Sequence, residues 1–204
     1  PHGSSAAMAA ELLDAGLGVI DLSASFRLPA AIYAHAYGEH PCSERIGDAV
    51  YGLPELQRER LPGARLIAGP GCFPTGVMLA CAPFYAAGLV SQAPLIADCK
   101  TGVTGAGAKA SLTTHFCSVA DTVTPYKVDG HRHGPEIAHH LSGVAGHPLK
   151  VRFTPHLLPI RRGILSTCYL DLKAGVDQEQ LLGALNSFYA HEPFGNICVQ
   201  VPTL

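Results

Sequence analysis

Cys72 stands in Ala68-Gly69-Pro70-Gly71-Cys72-Phe73-Pro74-Thr75, a turn that runs into an apolar stretch. Gly69 and Gly71 allow a sharp backbone turn and leave space beside the sulfur. Pro74 suits a first helical turn, where its missing N–H costs nothing. The spacing therefore predicts Cys72 at a helix N-terminus. Free amides and the helix dipole there favour a thiolate, the form that attacks a carbonyl carbon. A lone Cys is more often simply a small buried residue; the flanking glycines and a His-rich segment downstream favour chemistry here.

That segment is His131-Arg132-His133-Gly134-Pro135-Glu136. His133 can take or give a proton near neutral pH, and Glu136, three residues on, is placed to orient its ring. An H-x-H pair can also chelate, and His139 and His140 follow at helical distance, but no recognisable zinc spacing is present. The reading is acid–base work and no metal. Thr101-Gly102-Val103-Thr104-Gly105-Ala106-Gly107 can present several backbone N–H groups to an anion, although such loops are often only turns. Arg27 and Arg162 offer bidentate anion binding, and with His131, Arg132 and His156 they are the candidate substrate contacts. A thiolate, a histidine with an acidic neighbour, a glycine loop and separate arginines together suit attack on a carboxyl activated by phosphate, the acyl group passing to sulfur.

The elements that must position these groups mix strand and helix along all 204 residues, an α/β or α+β class. Ser4 or Ser5 can cap a helix over 6–15, closed by Gly16. Val19-Ile20-Asp21-Leu22 reads as a buried strand, and 23–51 as a long irregular loop. Arg65-Leu66-Ile67-Ala68 is a strand that delivers the chain to Cys72. The stretch 75–87 is helical, kinked or divided by Pro83 and stopped by Gly88. Strands follow at 95–99, 151–154 and 164–172. A short helix opens at Pro135 and ends near Gly143. Asp177 with Gln180 makes a capping box ahead of the apolar stripe Leu181, Leu182, Leu185, Phe188, Tyr189, which reads as core.

Composition narrows the class further. Hydrophobic residues make up 48%, charged residues only 15%, and the net charge is −2. The low charge predicts extra buried surface, as in a homo-oligomer or contacts with further chain. The balance gives no support to nucleic acid or membrane as a partner. Seven cysteines, an odd number with no C-x-x-C, exclude a disulfide framework and point to a reducing compartment such as the cytoplasm. The N-terminus carries neither an initiator Met nor a signal peptide, Val201-Pro202-Thr203-Leu204 does not read as a natural end, and no strand leads into G-x-G-x-x-G. The chain reads as a fragment.

Seven landmarks in order resemble one family, N-acetyl-gamma-glutamyl-phosphate reductase. They are Pro1-His2-Gly3, Asp21-Leu22-Ser23-Ala24-Ser25-Phe26-Arg27-Leu28, Tyr51-Gly52-Leu53-Pro54-Glu55, the Cys72 turn, the 101–107 loop, His131 through Ile137, and Phe153-Thr154-Pro155-His156-Leu157, with Arg162-Gly163-Ile164 beyond. The resemblance implies an NADP(H)-dependent oxidoreductase. Residues 1–71 would be the remainder of a Rossmann domain. Residues 72–204 would be a catalytic and dimerisation domain like that of glyceraldehyde-3-phosphate dehydrogenase, C-terminally incomplete. It implies Cys72 as nucleophile, His133 as acid–base residue supported by Glu136, and Arg27 on the phosphate. It places Gly102, Thr104, Gly105, Ala106 and Gly107 near the cofactor. A dimer or tetramer and a small acyl phosphate substrate follow from it. The family often carries Ser where Thr101 and Thr104 stand, and Arg after the loop where Ala108-Lys109 stand, which passes an anion contact to Lys109. The alternatives are a sister reductase acting on a carrier-bound aminoadipyl or glutamyl phosphate, an inactive fragment or assembly module, and a cysteine hydrolase, which has no use for the glycine loop.

Overall fold

A computed structural model describes residues 2–107, 109–198 and 200; the readings on Pro1, Ala108 and 201–204 lie outside the described residues. Helix α1 (His2–Asp14) leads to strand β1 (Val19–Asp21), α2 (Ala30–Tyr37), a 3₁₀ turn (Ser43–Asp48), β2 (Ala49–Tyr51), α3 (Pro54–Gln57) and β3 (Leu66–Ala68). These strands form a parallel sheet in the order β1-β3-β2. Then come α4 (Cys72–Ala86), β4 (Leu95–Thr101), a 3₁₀ turn (Val103–Ala106), α5 (Phe116–Val119), β5 (Thr124–Pro125), α6 (His133–Ala145), β6 (Val151–Leu157), β7 (Ile164–Tyr169) and α7 (Gln178–Phe188). The second sheet runs β5-β6-β4-β7, with β4 and β6 parallel and the other pairs antiparallel.

The second sheet is covered on one face. Along β4, Leu95, Ala97, Cys99 and Thr101 point inward and are buried, while Ile96, Asp98 and Lys100 point away. This is the period of two that a half-buried strand requires. Helices α4 and α6 lie on the inner face, and their Val77, Met78, Cys81, Ile137 and Leu141 close the main core. A smaller core under α1 is built from Ala6, Ala9, Leu13, Phe26 and Leu66.

The structure corrects several boundaries. Helix α1 begins at His2, so Ser4 and Ser5 lie inside it rather than capping it; Gly16 closes it with φ of 84°. The supposed loop 23–51 contains α2 and β2. The sequence of α2, AAIYAHAY, has no polar face to signal a helix; Tyr33 is instead buried with its ring edge-on to His40, which in turn meets Phe26. Helix α4 starts at Cys72 and runs unbroken through Pro83. Proline removes the N–H that would bond the carbonyl four residues back, and that carbonyl, Leu79 O, accepts instead from the Tyr189 hydroxyl. Helix α6 starts at His133, two residues before Pro135, and passes Gly143 to stop at Gly146, where φ of 73° requires glycine. The Asp177–Gln180 capping box is present, although the stripe it opens is half-buried rather than closed into the core.

Candidate active site

Strand β3 ends at Ala68 and the chain turns through Gly69-Pro70-Gly71 into α4. Cys72 is therefore the first helical residue, and its side chain is exposed. Gly71 adopts φ −66° and ψ 150°, which any residue can take, so glycine is not needed there for backbone freedom. It is needed for room. A Cβ on Gly71 would lie 2.7 Å from His133 Nε2 and 3.0 Å from Glu136 Oε2. The space reserved by Gly71 is thus filled by the histidine ring and the carboxylate, both carried on the first turn of α6.

Glu136 is fully buried. Its Oε1 accepts from the Gly71 amide at 2.8 Å and from the Tyr51 hydroxyl at 2.7 Å, while Arg27 Nη1 stands 3.5 Å from Oε2. Burial raises its pKa, opposed first by Arg27 and then by the hydrogen bonds from Gly71 and Tyr51. No hydrogen bond joins Glu136 to His133 among the described residues. Its carboxylate holds the turn that carries Cys72 rather than the ring, which departs from the orienting role read from spacing.

His133 is packed against Phe73, with ring centroids 5.9 Å apart, and against His131 at 4.8 Å. Burial first, and then the charges of His131, Arg27 and Lys127, push its pKa down to about 3, so the ring is neutral near pH 7. His131 Nδ1 accepts from the His133 amide at 3.1 Å. The neutral His131 ring, its pKa pushed down to about 4 by burial, therefore carries its proton on Nε2.

One cavity of about 870 Å³ brings together Cys72, His133, His131, Arg132, Arg27, Gly105 and Ala106. Lys109, the residue read as taking over an anion contact, also lines it, and so do three residues the sequence reading missed: Tyr37, Tyr126 and Lys127. An aromatic next to a base only a few positions before His131 was the available signal for Tyr126 and Lys127. Among the described residues, four cationic side chains, Arg27, Lys109, Lys127 and Arg132, line the cavity and no carboxylate does. Arg27 is partly committed elsewhere, since its Nε donates to Gly69 O at 2.7 Å and its Nη2 to Leu22 O at 2.9 Å.

Other predicted residues lie apart. His156 faces Asp98, Nδ1 to Oδ1 at 3.2 Å, on the outer side of the sheet, and does not line the cavity. Arg162 belongs to a segment that lies directly on the glycine loop, and it too is outside the cavity. The amides of Gly102, Val103 and Thr104 donate to the carbonyls of Gly163, Ile160 and Arg161, and those of Gly105 and Gly107 donate within the loop. These five amides are spent on the fold, so the loop is not the anion nest its composition suggests. What it contributes is a wall at Gly105 and Ala106 without bulky side chains. Among the described residues no cluster of three metal-ligating side chains occurs, and no helix is long and apolar enough to cross a membrane.

The profile of the semialdehyde dehydrogenase dimerisation domain matches residues 72–204, and that of the semialdehyde dehydrogenase NAD binding domain matches residues 1–64. The chain belongs to the semialdehyde dehydrogenase family. A relative from Syntrophobacter fumaroxidans, named N-acetyl-gamma-glutamyl-phosphate reductase, is 49% identical over 100% of this chain and 60% of its own length. One of the same name from Magnetococcus marinus is 47% identical over 95% of this chain and 56% of its own. The chain thus spans about 60% of the length of the first of these relatives. Aspartate semialdehyde dehydrogenase II from Vibrio cholerae superposes with a TM-score of 0.65 at 20% identity, over 91% of this chain and 58% of that one. The likeness fixes the semialdehyde dehydrogenase fold, α/β in class, in which the Cys72 turn joins the two matched regions.

Proposed function

We propose that the chain is part of an NADP-dependent oxidoreductase that reductively dephosphorylates N-acetyl-L-glutamyl 5-phosphate to the 5-semialdehyde, in arginine biosynthesis. The observation that carries this reading is the cavity itself: an exposed cysteine at a helix start, a neutral histidine on the same wall, and, among the described residues, four cations with no carboxylate. A nucleophile in a cationic pocket suits an anionic acyl donor, and the relatives' names supply its identity. Division into a Rossmann remainder at 1–71 and a catalytic domain at 72–204 is part of the proposal.

In this mechanism Cys72 Sγ attacks the acyl carbon, the carbon–sulfur bond forms, and the carbon–oxygen bond to phosphate breaks with its electron pair leaving on phosphate. Arg27, Lys127 and Lys109 stabilise the departing dianion. The amide at the start of α4 is placed to hold the developing oxyanion. Gly105 and Ala106 leave a flat wall on the cavity shared with Cys72, which fits a planar ring; the other loop residues, Gly102, Thr104 and Gly107, support that wall. A bound nicotinamide dinucleotide would supply hydride at the acyl carbon. Cys72 is then the leaving group as the aldehyde departs. His133 takes the Cys72 thiol proton during acylation, while phosphate is still bound, and returns it to the sulfur as the aldehyde departs. Its protonated form is held down by burial and by the positive charge of Arg27 and Lys127, and substrate phosphate beside those cations makes the imidazolium cheaper when it is needed.

The outer face of the second sheet leaves Ile96, Leu165 and Tyr169 exposed, which supports pairing with another copy in a dimer or tetramer. All seven cysteines are free thiols, in keeping with the cytoplasm. The test replaces Cys72 by Ser and follows phosphate release from the acyl phosphate, first without and then with NADPH. The wild type should release about one equivalent per site before NADPH is added, because acylation needs no hydride. The variant should release none, with its unfolding midpoint unchanged because the side chain is exposed. Turnover in the variant at the wild-type rate would refute the assignment.

A further inference from the structure

Arg132 stands between the two histidines of the cavity wall, at the start of α6. Among the described residues it has no carboxylate partner, and it is exposed. A long cationic side chain in that situation is normally mobile. Here its guanidinium carbon lies 4.9 Å from the centroid of the Tyr37 ring. That ring is in turn held by a series of aromatic contacts. Tyr37 stacks on Tyr33 at 4.9 Å with the planes 18° apart. Buried Tyr33 meets His40 edge-on at 4.6 Å, and His40 is fixed by a 2.8 Å hydrogen bond to Ser25 O. Tyr37 therefore presents a rigid face to Arg132, and both line the cavity that holds Cys72.

We propose that Tyr37 is a positioning residue that holds the Arg132 guanidinium on the wall of the Cys72 cavity, where it reads a second anionic group of the substrate, a carboxylate. The proposal rests on the function argued above and names what that reading leaves open: which group recognises the part of the substrate remote from the phosphate. Arg27 is tied to Gly69, Leu22 and Glu136, so its remaining capacity serves one anion. Arg132 is the cation left with its planar fork free. Stacking on an aromatic face fixes that fork at little entropic cost through a cation–π contact.

The test compares alkylation of Cys72 by iodoacetate, an anion, with alkylation by neutral iodoacetamide, reading the Cys72 peptide by mass spectrometry. This needs neither cofactor nor turnover. A fixed cation beside the thiol raises the iodoacetate-to-iodoacetamide rate ratio. Tyr37→Leu and Arg132→Gln should each lower that ratio by roughly two- to fivefold, while Tyr37→Phe, which keeps the ring, should retain it. A wild-type ratio in Tyr37→Leu alongside a lowered one in Arg132→Gln would show that the arginine needs no ring, and would overturn the proposal. If Tyr37→Leu loses its helical circular dichroism, Arg132→Lys takes its place. It keeps the charge and loses the stacked fork, so an unchanged ratio there overturns the proposal equally. Failure of either reagent to label Cys72 in the wild type would instead overturn the nucleophile assignment, a different outcome from an unchanged ratio.

Discussion

Gly71→Ala isolates the close approach on which the site is built. The backbone at Gly71, φ −66° and ψ 150°, accepts alanine, so any effect comes from the added methyl. That methyl would lie 2.7 Å from His133 Nε2 and 3.0 Å from His133 Cδ2. Ordinary contact begins at 3.4 Å, so the ring must retreat by 3.4 − 2.7 = 0.7 Å. It has little room to do so, with Phe73 and His131 packed against it at centroid distances of 5.9 and 4.8 Å. Overpacking of this kind costs about 1–3 kcal/mol. Restricting the unfolded chain returns about 0.4–1 kcal/mol. At the middle of these ranges the net loss is about 1.3 kcal/mol, a fall in Tm of roughly 3–5 °C for a chain of this size. Turnover should suffer more than stability, because misplacing a reacting group by about 1 Å costs on the order of 100-fold. The assays are thermal unfolding and phosphate release under saturating acyl phosphate. Gly47→Ala serves as the control, since its methyl would meet nothing within 4 Å. A Gly71→Ala protein with the control's Tm and full turnover would show that His133 is not held where the chemistry needs it.

Two further outcomes follow from the same geometry. His133 and His131 have pKa values pushed down from 6.5 to about 3 and about 4. The folded chain therefore binds fewer protons than the unfolded chain in that window. Stability is full above about pH 6.5 and is lost as pH falls toward 3, by at most about 1.4 kcal/mol per pH unit for each ring. His133→Asn removes one of these losses, so its stability gap to the wild type, read from urea midpoints between pH 7.5 and 5, should shrink on acidification; a constant gap would contradict the burial argument. Gly102→Ala should destabilise more than Gly71→Ala, since its methyl would meet backbone, Arg162 N at 2.7 Å and the Arg161 carbonyl at 2.8 Å, and backbone cannot swing aside. An unfolding midpoint equal to the wild type's would mean that the loop and the 160–163 segment are not packed as described.

What could be read along the chain was whatever is encoded by neighbours. The glycine–cysteine–proline turn announced the start of α4 because each of those residues constrains its own backbone. The Asp177–Gln180 box was visible because both its hydrogen bonds are local. A strand opening at Leu95 was legible from its apolar run, and Cys72 and His133 were singled out as candidates by residue type and order. Tertiary structure decided the rest, because the decisive contacts join residues far apart in sequence. Helix α2 exists through Tyr33 burying itself against His40, which is itself packed on Phe26, with no amphipathic pattern of its own. Pro83 sits inside a helix because Tyr189 supplies the missing donor. Glu136 serves Gly71 and Tyr51, which lie 65 and 85 positions away, and not the histidine three positions before it. The glycine loop lost its free amides to the 160–163 segment. Spacing can report which groups are able to reach one another along a helix or a turn, but where a hydrogen-bond donor is spent depends on what the fold brings opposite it.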